Sequence, residues 1–191
     1  MDSRWKLEMF YLGCFVIVFL LIILPPLYLP AGTVVNIDGR VGSLDHPDLW
    51  GSLDPVSSTV YTLGDLTCHQ MADRTFWING SQMPVCGREF SLLVGAIIGM
   101  LPCIYLGSRL DARPIFTSTL SIVGLMVSPA EWFLASIMDA DPGMSIVMVS
   151  GVVSGASFSL LLHCIMGWVF KRYGVARFCS GRDSDNISLL S

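Results

Sequence analysis

Four runs of apolar residues, separated by polar segments, dominate the pattern of this chain. They cover residues 9–29, 90–106, 115–138 and 145–170. About 20 residues of α-helix, rising 1.5 Å each, cross the ~30 Å hydrocarbon core of a bilayer. Each run therefore predicts one transmembrane helix.

The first apolar run also has features of a signal peptide, because basic residues precede an apolar stretch. Arg4 and Lys6 precede this run. The run is longer than a usual signal core, and no small-x-small cleavage site follows Leu29. We interpret it as a retained transmembrane helix that Pro25 and Pro26 end or kink.

Residues 31–89 form the long polar segment of the chain. Asp38-Gly39 separates two short β-prone stretches, residues 34–37 and 40–43, and this pattern predicts a short hairpin.

Further along the same segment, within residues 56–77, apolar residues recur at helical spacing. They are Val56, Val60, Leu63 and Leu66. The spacing predicts a short amphipathic helix that lies at the membrane surface or against the helix bundle.

Composition supports a membrane protein and excludes a nucleic-acid-binding one. Of the 191 residues, 53% are hydrophobic and only 14% are charged, whereas a soluble domain carries about 25% charged residues. The net charge is −4, so no basic stripe is available for phosphates. The predicted fold class is an all-α integral membrane protein with four transmembrane helices, in contact with the lipid bilayer. Its predicted parts are a first helix (1–30), a loop (31–89), a three-helix segment (90–170) and a basic tail (171–191).

The distribution of basic residues predicts the orientation. Four spans place the N-terminus, the turn at residues 107–114 and the C-terminal tail on one side, with eight of the eleven Lys and Arg residues. The long loop carries the other three, Arg40, Arg74 and Arg88. The positive-inside rule predicts a multi-pass protein of the cell membrane with both termini in the cytoplasm and the loop outside.

The loop carries a cluster of potential ligands: Cys68, His69, Cys86 and, at the mouth of the second span, Glu89. Thiolates and neutral imidazoles bind transition metals such as zinc, and a carboxylate can complete a tetrahedral set. An exported loop lies in an oxidising compartment, so Cys68 and Cys86 equally suit a structural disulfide. In the chain-entropy model, such a disulfide would stabilise the folded loop by roughly 3 kcal/mol. A redox or catalytic thiol and unpaired structural cysteines are further alternatives.

The same segment offers groups for an anionic ligand. Arg74 and Arg88 provide forked donors for a carboxylate or phosphate, and His69 can bind metal or move a proton. We expect these residues, with Gln70 and Glu89, to form an outward-facing binding site in which the Gln70 amide orients the ligand. Alternatively, they tie the loop to the second helix.

The loop motif resembles an uncharacterised family of small prokaryotic membrane proteins, the domain of unknown function 2085 family. The residues that carry the resemblance are Cys68-His69-Gln70, Arg74, Phe76, Gly80, Pro84, Cys86 and Arg88. Thr75 stands where the family usually has Ser, and Glu89 stands where many members have a second cysteine. The resemblance implies a membrane protein and no established activity, cofactor or enzyme class.

Two ionisable residues lie within predicted spans. Glu131 lies in the outer half of the third helix, where a carboxylate is costly unless it is paired, protonated or drawn out to water, so it is a candidate functional residue. Its alternative role is a pair with Arg74 or Arg88. His163 lies in the inner half of the fourth helix, about 13 Å from Glu131 along the membrane normal, and is expected to be a packed, hydrogen-bonded histidine.

Two Gly-x-x-x-Gly pairs occur in the spans, Gly95 with Gly99 and Gly151 with Gly155. Small residues let helix backbones approach closely in lipid. We expect these faces to pack the helices within the chain, and the alternative is a homo-oligomer or a larger membrane complex.

Three functions remain open: a metal- or anion-binding site in the loop with redox or transfer chemistry, a transporter or channel component, and a non-catalytic subunit of a membrane complex. The sequence favours the first because the loop concentrates the reactive side chains.

Overall fold

A computed structural model describes the backbone of residues 3–187 and the side chains of residues 4–172. Of the basic residues expected in the C-terminal tail, Lys171 and Arg172 are described, and the side chains of Arg177 and Arg182 lie outside the described part. The elements, in chain order, are α1 (Ser3–Tyr28), α2 (Pro47–Ser52), α3 (Pro55–Thr67), a 3-10 turn (Ala72–Arg74), β1 (Thr75–Ile78), β2 (Ser81–Cys86), α4 (Gly87–Asp111), α5 (Pro114–Leu125), α6 (Val127–Met138) and α7 (Met144–Ile187).

Four helical stretches in the described part are long and apolar enough to cross a membrane: Arg4–Tyr28, Gly87–Asp111, Pro114–Met138 and Met144–Arg172. This confirms the predicted all-α membrane fold with four spans and a multi-pass location in a membrane. We call the end of the bundle that carries residues 31–86 the loop end, and the other the opposite end.

Helices α4 and α7 form the centre of the bundle, and both glycine pairs lie between them. A Cβ atom at Gly95 or Gly99 would collide with the backbone of Val152 or Ala156 on α7. Gly151 and Gly155 lie equally close to α4, against the Ser91 side chain and the Leu92 carbonyl. These glycine faces therefore pack α4 against α7 within the chain, as expected. The alternative of a homo-oligomer or a larger membrane complex stays a prediction.

The third span is two helices rather than the single continuous one expected over residues 115–138. Helix α5 ends at Leu125 and α6 begins at Val127. Pro129 explains the break, because it has no N–H to donate to the carbonyl of Leu125. Ser154 of α7 compensates: its hydroxyl donates to the Gly124 carbonyl (3.1 Å) and accepts from the Ser128 N–H (3.0 Å).

The loop contains a hairpin, but not at the expected Asp38-Gly39. Strands β1 and β2 pair antiparallel around Asn79-Gly80, whose φ angles of +52° and +68° suit a tight hairpin turn. Around Asp38-Gly39 the polar groups bond to distant segments instead: the Asp38 carboxylate accepts from Ala72 N–H (2.7 Å), and Gly39 N–H donates to the His69 carbonyl (2.9 Å).

Aromatic and polar contacts hold the loop together. Trp50 of α2 stacks on Tyr61 of α3, with ring centroids 5.2 Å apart, and both are buried. The fully buried carboxylate of Asp65 accepts from the Trp50 indole N–H (2.8 Å) and from the backbone N–H groups of Asp45 (3.0 Å) and His46 (3.2 Å). Asp65 thus fixes the end of α3 against the preceding loop, one turn before Cys68.

The amphipathic helix expected within residues 56–77 is α3, which ends at Thr67. It packs against the loop through Ser57, Tyr61, Gly64 and Asp65. The four apolar residues that predicted it do not pack against the bundle: Val56, Leu63 and Leu66 are exposed and Val60 is half-buried.

Candidate functional site

Gly64 and the β2–α4 junction bring Cys68 and Cys86 together. Cys68 is the residue after α3, and Cys86 is both the last residue of β2 and the N-cap of α4. Gly64 lets α3 lie directly on β2, because a Cβ atom there would collide with the Pro84 carbonyl. The Cys86 N–H then donates to the Cys68 Sγ over 3.2 Å.

A carboxylate completes the group. The Sγ atoms of Cys68 and Cys86 and a carboxylate oxygen of Glu89 all lie within 4.8 Å of one another. Glu89 lies in the first turn of α4, so it reaches the same point from the helix that begins after Cys86. The two thiols are not bonded to each other.

The two thiols differ in acidity. The hydrogen bond from the Cys68 thiol, followed by the nearby backbone N–H groups of Glu89 and Arg88, lowers the pKa of Cys86 to about 6. The same thiol–thiolate bond, together with burial, raises the pKa of Cys68 well above its usual range. The lowered pKa favours the thiolate form of Cys86, whereas the raised pKa favours the protonated form of Cys68.

His69 does not join the sulfur–carboxylate group. It is exposed, whereas Cys68 before it and Gln70 after it are buried. Cys68 has extended backbone angles, and successive side chains of an extended chain point to opposite sides. The described ligand group is therefore Cys68, Cys86 and Glu89, and the expected metal ligand His69 lines the adjacent cavity instead.

Gln70 was expected to orient a ligand, and the structure also gives it a structural role. It is fully buried with a φ of +47°, and its amide N–H donates to the Pro84 carbonyl (2.6 Å). Its own carbonyl accepts from the Gln82 amide. The side-chain amide is thus tied to β2, while its buried Oε1 atom has no hydrogen-bond partner among residues 4–172.

A cavity of about 340 Å³ lies beside the three potential ligands. This volume falls within the range of small-ligand sites, ~300–1,000 Å³. Its lining is Thr67, Cys68, His69, Gln70, Met71, Arg74, Cys86, Arg88, Glu89, Trp132 and Val147. All the loop residues singled out from the sequence therefore border one space.

Arg88 is held at the helix break of the third span. Its guanidinium donates to the Ser128 carbonyl (3.1 Å) and pairs with the Glu131 carboxylate (2.9 Å). Glu131 also accepts from the Ser150 hydroxyl (3.2 Å). Glu131 is thus paired with Arg88, which is the alternative role expected for it. The pair and its hydrogen bonds link α4 to α6 and α7.

Arg74 is the freer guanidinium of the cavity. Its side chain is 46% exposed and contacts Asp141 at 3.4 Å and Asp73 at 4.0 Å, both of which are also exposed. Exposed pairs of this kind contribute little to stability, ~0–1 kcal/mol. Arg74 is therefore available to a ligand at modest cost.

A second ionic cluster lies at the opposite end of the bundle. Of its members, only His163 was singled out from the sequence as an ionisable residue within a span. The His163 Nδ1 lies 2.8 Å from Glu8, and Arg4 contacts both Glu8 (3.2 Å) and Asp111 (2.5 Å). His163 and Glu8 are buried. The signal that was missed is the four-residue spacing of Arg4 and Glu8, which places both on one face of α1. His163 and Glu131 belong to separate clusters.

Comparisons with known proteins support a membrane protein and assign no activity. Residues 68–161 match the model of a family described as predicted membrane protein (DUF2085). A 46-residue stretch is 41% identical to an uncharacterized protein, MJ1492, of Methanocaldococcus jannaschii, and it covers 24% of this chain and 30% of that protein. No solved structure matches the chain. The family match confirms the resemblance inferred from the loop motif.

Proposed function

We propose that this membrane protein binds a thiophilic divalent metal ion, such as zinc, through Cys68, Cys86 and Glu89 at the extracytoplasmic face of the cell membrane. The observation that carries the proposal is the approach of two sulfur atoms and a carboxylate oxygen to within 4.8 Å of one another. Zinc bonds of ~2.3 Å to sulfur and ~2.0–2.2 Å to oxygen place tetrahedral ligand atoms roughly 3.5 Å apart. From separations within 4.8 Å, the ligand atoms would need to approach one another by at most about 1.3 Å to bind one ion.

The acidity of the thiols favours the same role. Metal ions bind thiolates, and the lowered pKa of Cys86 supplies one near neutral pH. Metal binding to Cys68 would in turn displace its proton. Three protein ligands leave the fourth tetrahedral position open, an arrangement typical of catalytic rather than structural zinc sites.

The residues that line the cavity indicate which class of ligand would occupy the open position on the metal. Arg74 brings an exposed guanidinium to the cavity, and guanidiniums match the planar geometry of carboxylates and phosphates. We infer that the cavity admits a small anionic ligand which reaches the metal through an oxygen atom. The unpartnered Oε1 of Gln70 suits a ligand that also carries a hydrogen-bond donor.

The orientation is part of the proposal. Arg4, Lys6, Arg109 and Arg113 belong to the opposite end, and the loop carries only Arg40, Arg74 and Arg88. The positive-inside rule then places the metal site outside the cell.

A second candidate function is a redox-active dithiol. It is favoured by the approach of the two Sγ atoms to within 4.8 Å of each other and by the position of Cys86 at the start of α4. In this reaction the Cys68 thiol releases its proton, and the two sulfurs together give two electrons to an acceptor, such as a quinone or a disulfide of another protein, which takes up that proton and a second one from water. A bond forms between the two Sγ atoms, and the acceptor is reduced.

Metal analysis of the full chain separates the two functions. The protein, purified in detergent under reducing conditions and then dialysed, is expected to hold about one zinc ion per chain. Cys68→Ser and Cys86→Ser are expected to lose it, and Glu89→Gln to bind at least about tenfold more weakly. Cys14→Ser is the matched control, because Cys14 lies on α1 away from the ligand group.

Unchanged zinc content in Cys86→Ser would overturn the metal proposal. A thiol count on the same protein, purified without reductant, decides the alternative. Metal-free protein in which Cys68 and Cys86 resist a membrane-impermeant maleimide until dithiothreitol is added would support the dithiol function.

A further inference from the structure

Helix α3 has an apolar surface that no other described part of the chain covers. Val56, Leu63 and Leu66 are 50%, 57% and 40% exposed, and Val60 lies half-buried in the same stripe. The helix has one charged residue, Asp65, and it is buried. Helices that face water carry charged and polar residues on the exposed side, so this surface is unusual for contact with water alone.

Both ends of α3 are attached at the level where spans leave the membrane. At its start, the hydroxyl of Tyr28, the last residue of α1, lies 2.6 Å from the Ser57 hydroxyl and 3.0 Å from the Asp54 carboxylate. At its end, Cys68 accepts from the N–H of Cys86, the residue before α4. Both ends of α3 are therefore attached beside the ends of two candidate spans, α1 and α4.

The span that Tyr28 ends also exposes apolar side chains close to its contact with α3. Leu24 and Leu27, in the last turns of α1 before the Tyr28 contact, are 46% and 52% exposed on a membrane-spanning helix. The 13 residues of α3 give this helix a length of about 20 Å.

We propose that α3 is an interfacial helix whose stripe of Val56, Val60, Leu63 and Leu66 is buried in the boundary between the lipid headgroups and acyl chains. The occupant of this surface is the bilayer itself. Because the stripe carries no basic residue, contact depends on apolar burial and not on anionic lipid. Since α3 leads directly into Cys68, the bilayer then supports the segment that carries this thiol.

Site-specific photocrosslinking tests the proposal. The photoreactive residue p-benzoylphenylalanine replaces Leu63 or Val56 in the full chain, reconstituted in phosphatidylcholine nanodiscs. The control position is Ser58, on the same helix but turned away from the stripe. After irradiation, mass spectrometry is expected to find lipid adducts at positions 63 and 56 at least about tenfold more often than at 58. Thermal unfolding in detergent shows that each variant is folded.

The lipid composition distinguishes the forces involved. Adduct yields that are unchanged when a third of the lipid is replaced by phosphatidylglycerol, and unchanged at high salt, support the apolar contact. Three outcomes would overturn it: no lipid adduct at position 63, equal yields at positions 63 and 58, or crosslinks from position 63 to a second copy of the chain instead of to lipid.

Discussion

Replacing Asp65 by alanine tests the account of how the loop positions Cys68. The carboxylate accepts three hydrogen bonds, from Trp50 Nε1 at 2.8 Å and from the backbone of Asp45 and His46 at 3.0 and 3.2 Å. Hydrogen bonds to a charged group contribute about 1.5–3 kcal/mol each, and a buried donor left unpaired costs about 1–3 kcal/mol. Trp50 is nearly fully buried, whereas water can reach the two backbone donors more easily. The expected loss in local stability is therefore about 3–6 kcal/mol.

Hydrogen exchange measures this loss directly. In nanodiscs, the amides of residues 45–50 and the last turn of α3 are expected to exchange at least about 100-fold faster in Asp65→Ala, since 1.4 kcal/mol corresponds to a factor of ten. The Cys68 thiol, one turn further along, should become more accessible to maleimide. Asp48→Ala is the matched control, because Asp48 is an exposed residue of α2 in the same loop.

The reasoning would be refuted if exchange at residues 45–50 changed by less than about threefold in Asp65→Ala. In that case the three hydrogen bonds would not determine the stability of the loop. Asp65→Asn should give an intermediate effect, because the amide keeps one acceptor oxygen but loses the charge.

Three shorter predictions address the thiol, the bundle and the orientation. The alkylation rate of Cys86 by iodoacetamide in metal-free, reduced protein should fall tenfold per pH unit below about pH 6 and level off above it, because the thiolate is the reactive form; an inflection near pH 8.5 would contradict the lowered pKa. Gly155→Val should lower the melting temperature in detergent and reduce yield, because its side chain meets the Leu92 carbonyl, whereas Gly13→Val, with open space around it, should change neither; equal effects would contradict the α4–α7 contact. A reporter inserted at Ser52 should behave as exported and one at Asp111 as cytoplasmic, and a cytoplasmic signal at Ser52 would reverse the proposed orientation.

The spans could be predicted from sequence because the bilayer imposes a simple rule: every backbone polar group must bond internally, so a long apolar run has to be helical. The same rule does not reveal where a span is interrupted. The break before Pro129 was not predicted, since it depends on Ser154 of another helix to satisfy the freed groups. Proline in a membrane helix is tolerated only where such partners exist.

The loop was harder to predict because its order comes from contacts distant in sequence. Two dipeptides suited a hairpin turn, Asp38-Gly39 and Asn79-Gly80, and only the second is flanked by strands that pair. The cluster of reactive residues was recognisable from its composition. The sequence did not indicate which of these residues converge. Their convergence depends on the approach of α3 to β2 at Gly64 and on the extended backbone that turns His69 away from Cys68.

The central position of α4 and α7 has a consequence for how the chain assembles during synthesis. The two helices that pack most closely are the second and fourth spans, so α4 enters the membrane before its main partner has been made. Until α7 arrives, Gly95 and Gly99 present an open groove to lipid or to any neighbouring helix. The intervening span can dock only once both are present, since Ser154 of α7 supplies the hydrogen bonds at its break. The close packing of α4 is therefore completed only after the fourth span has been made, and until then its glycine groove is the part of the chain most open to a wrong helix contact.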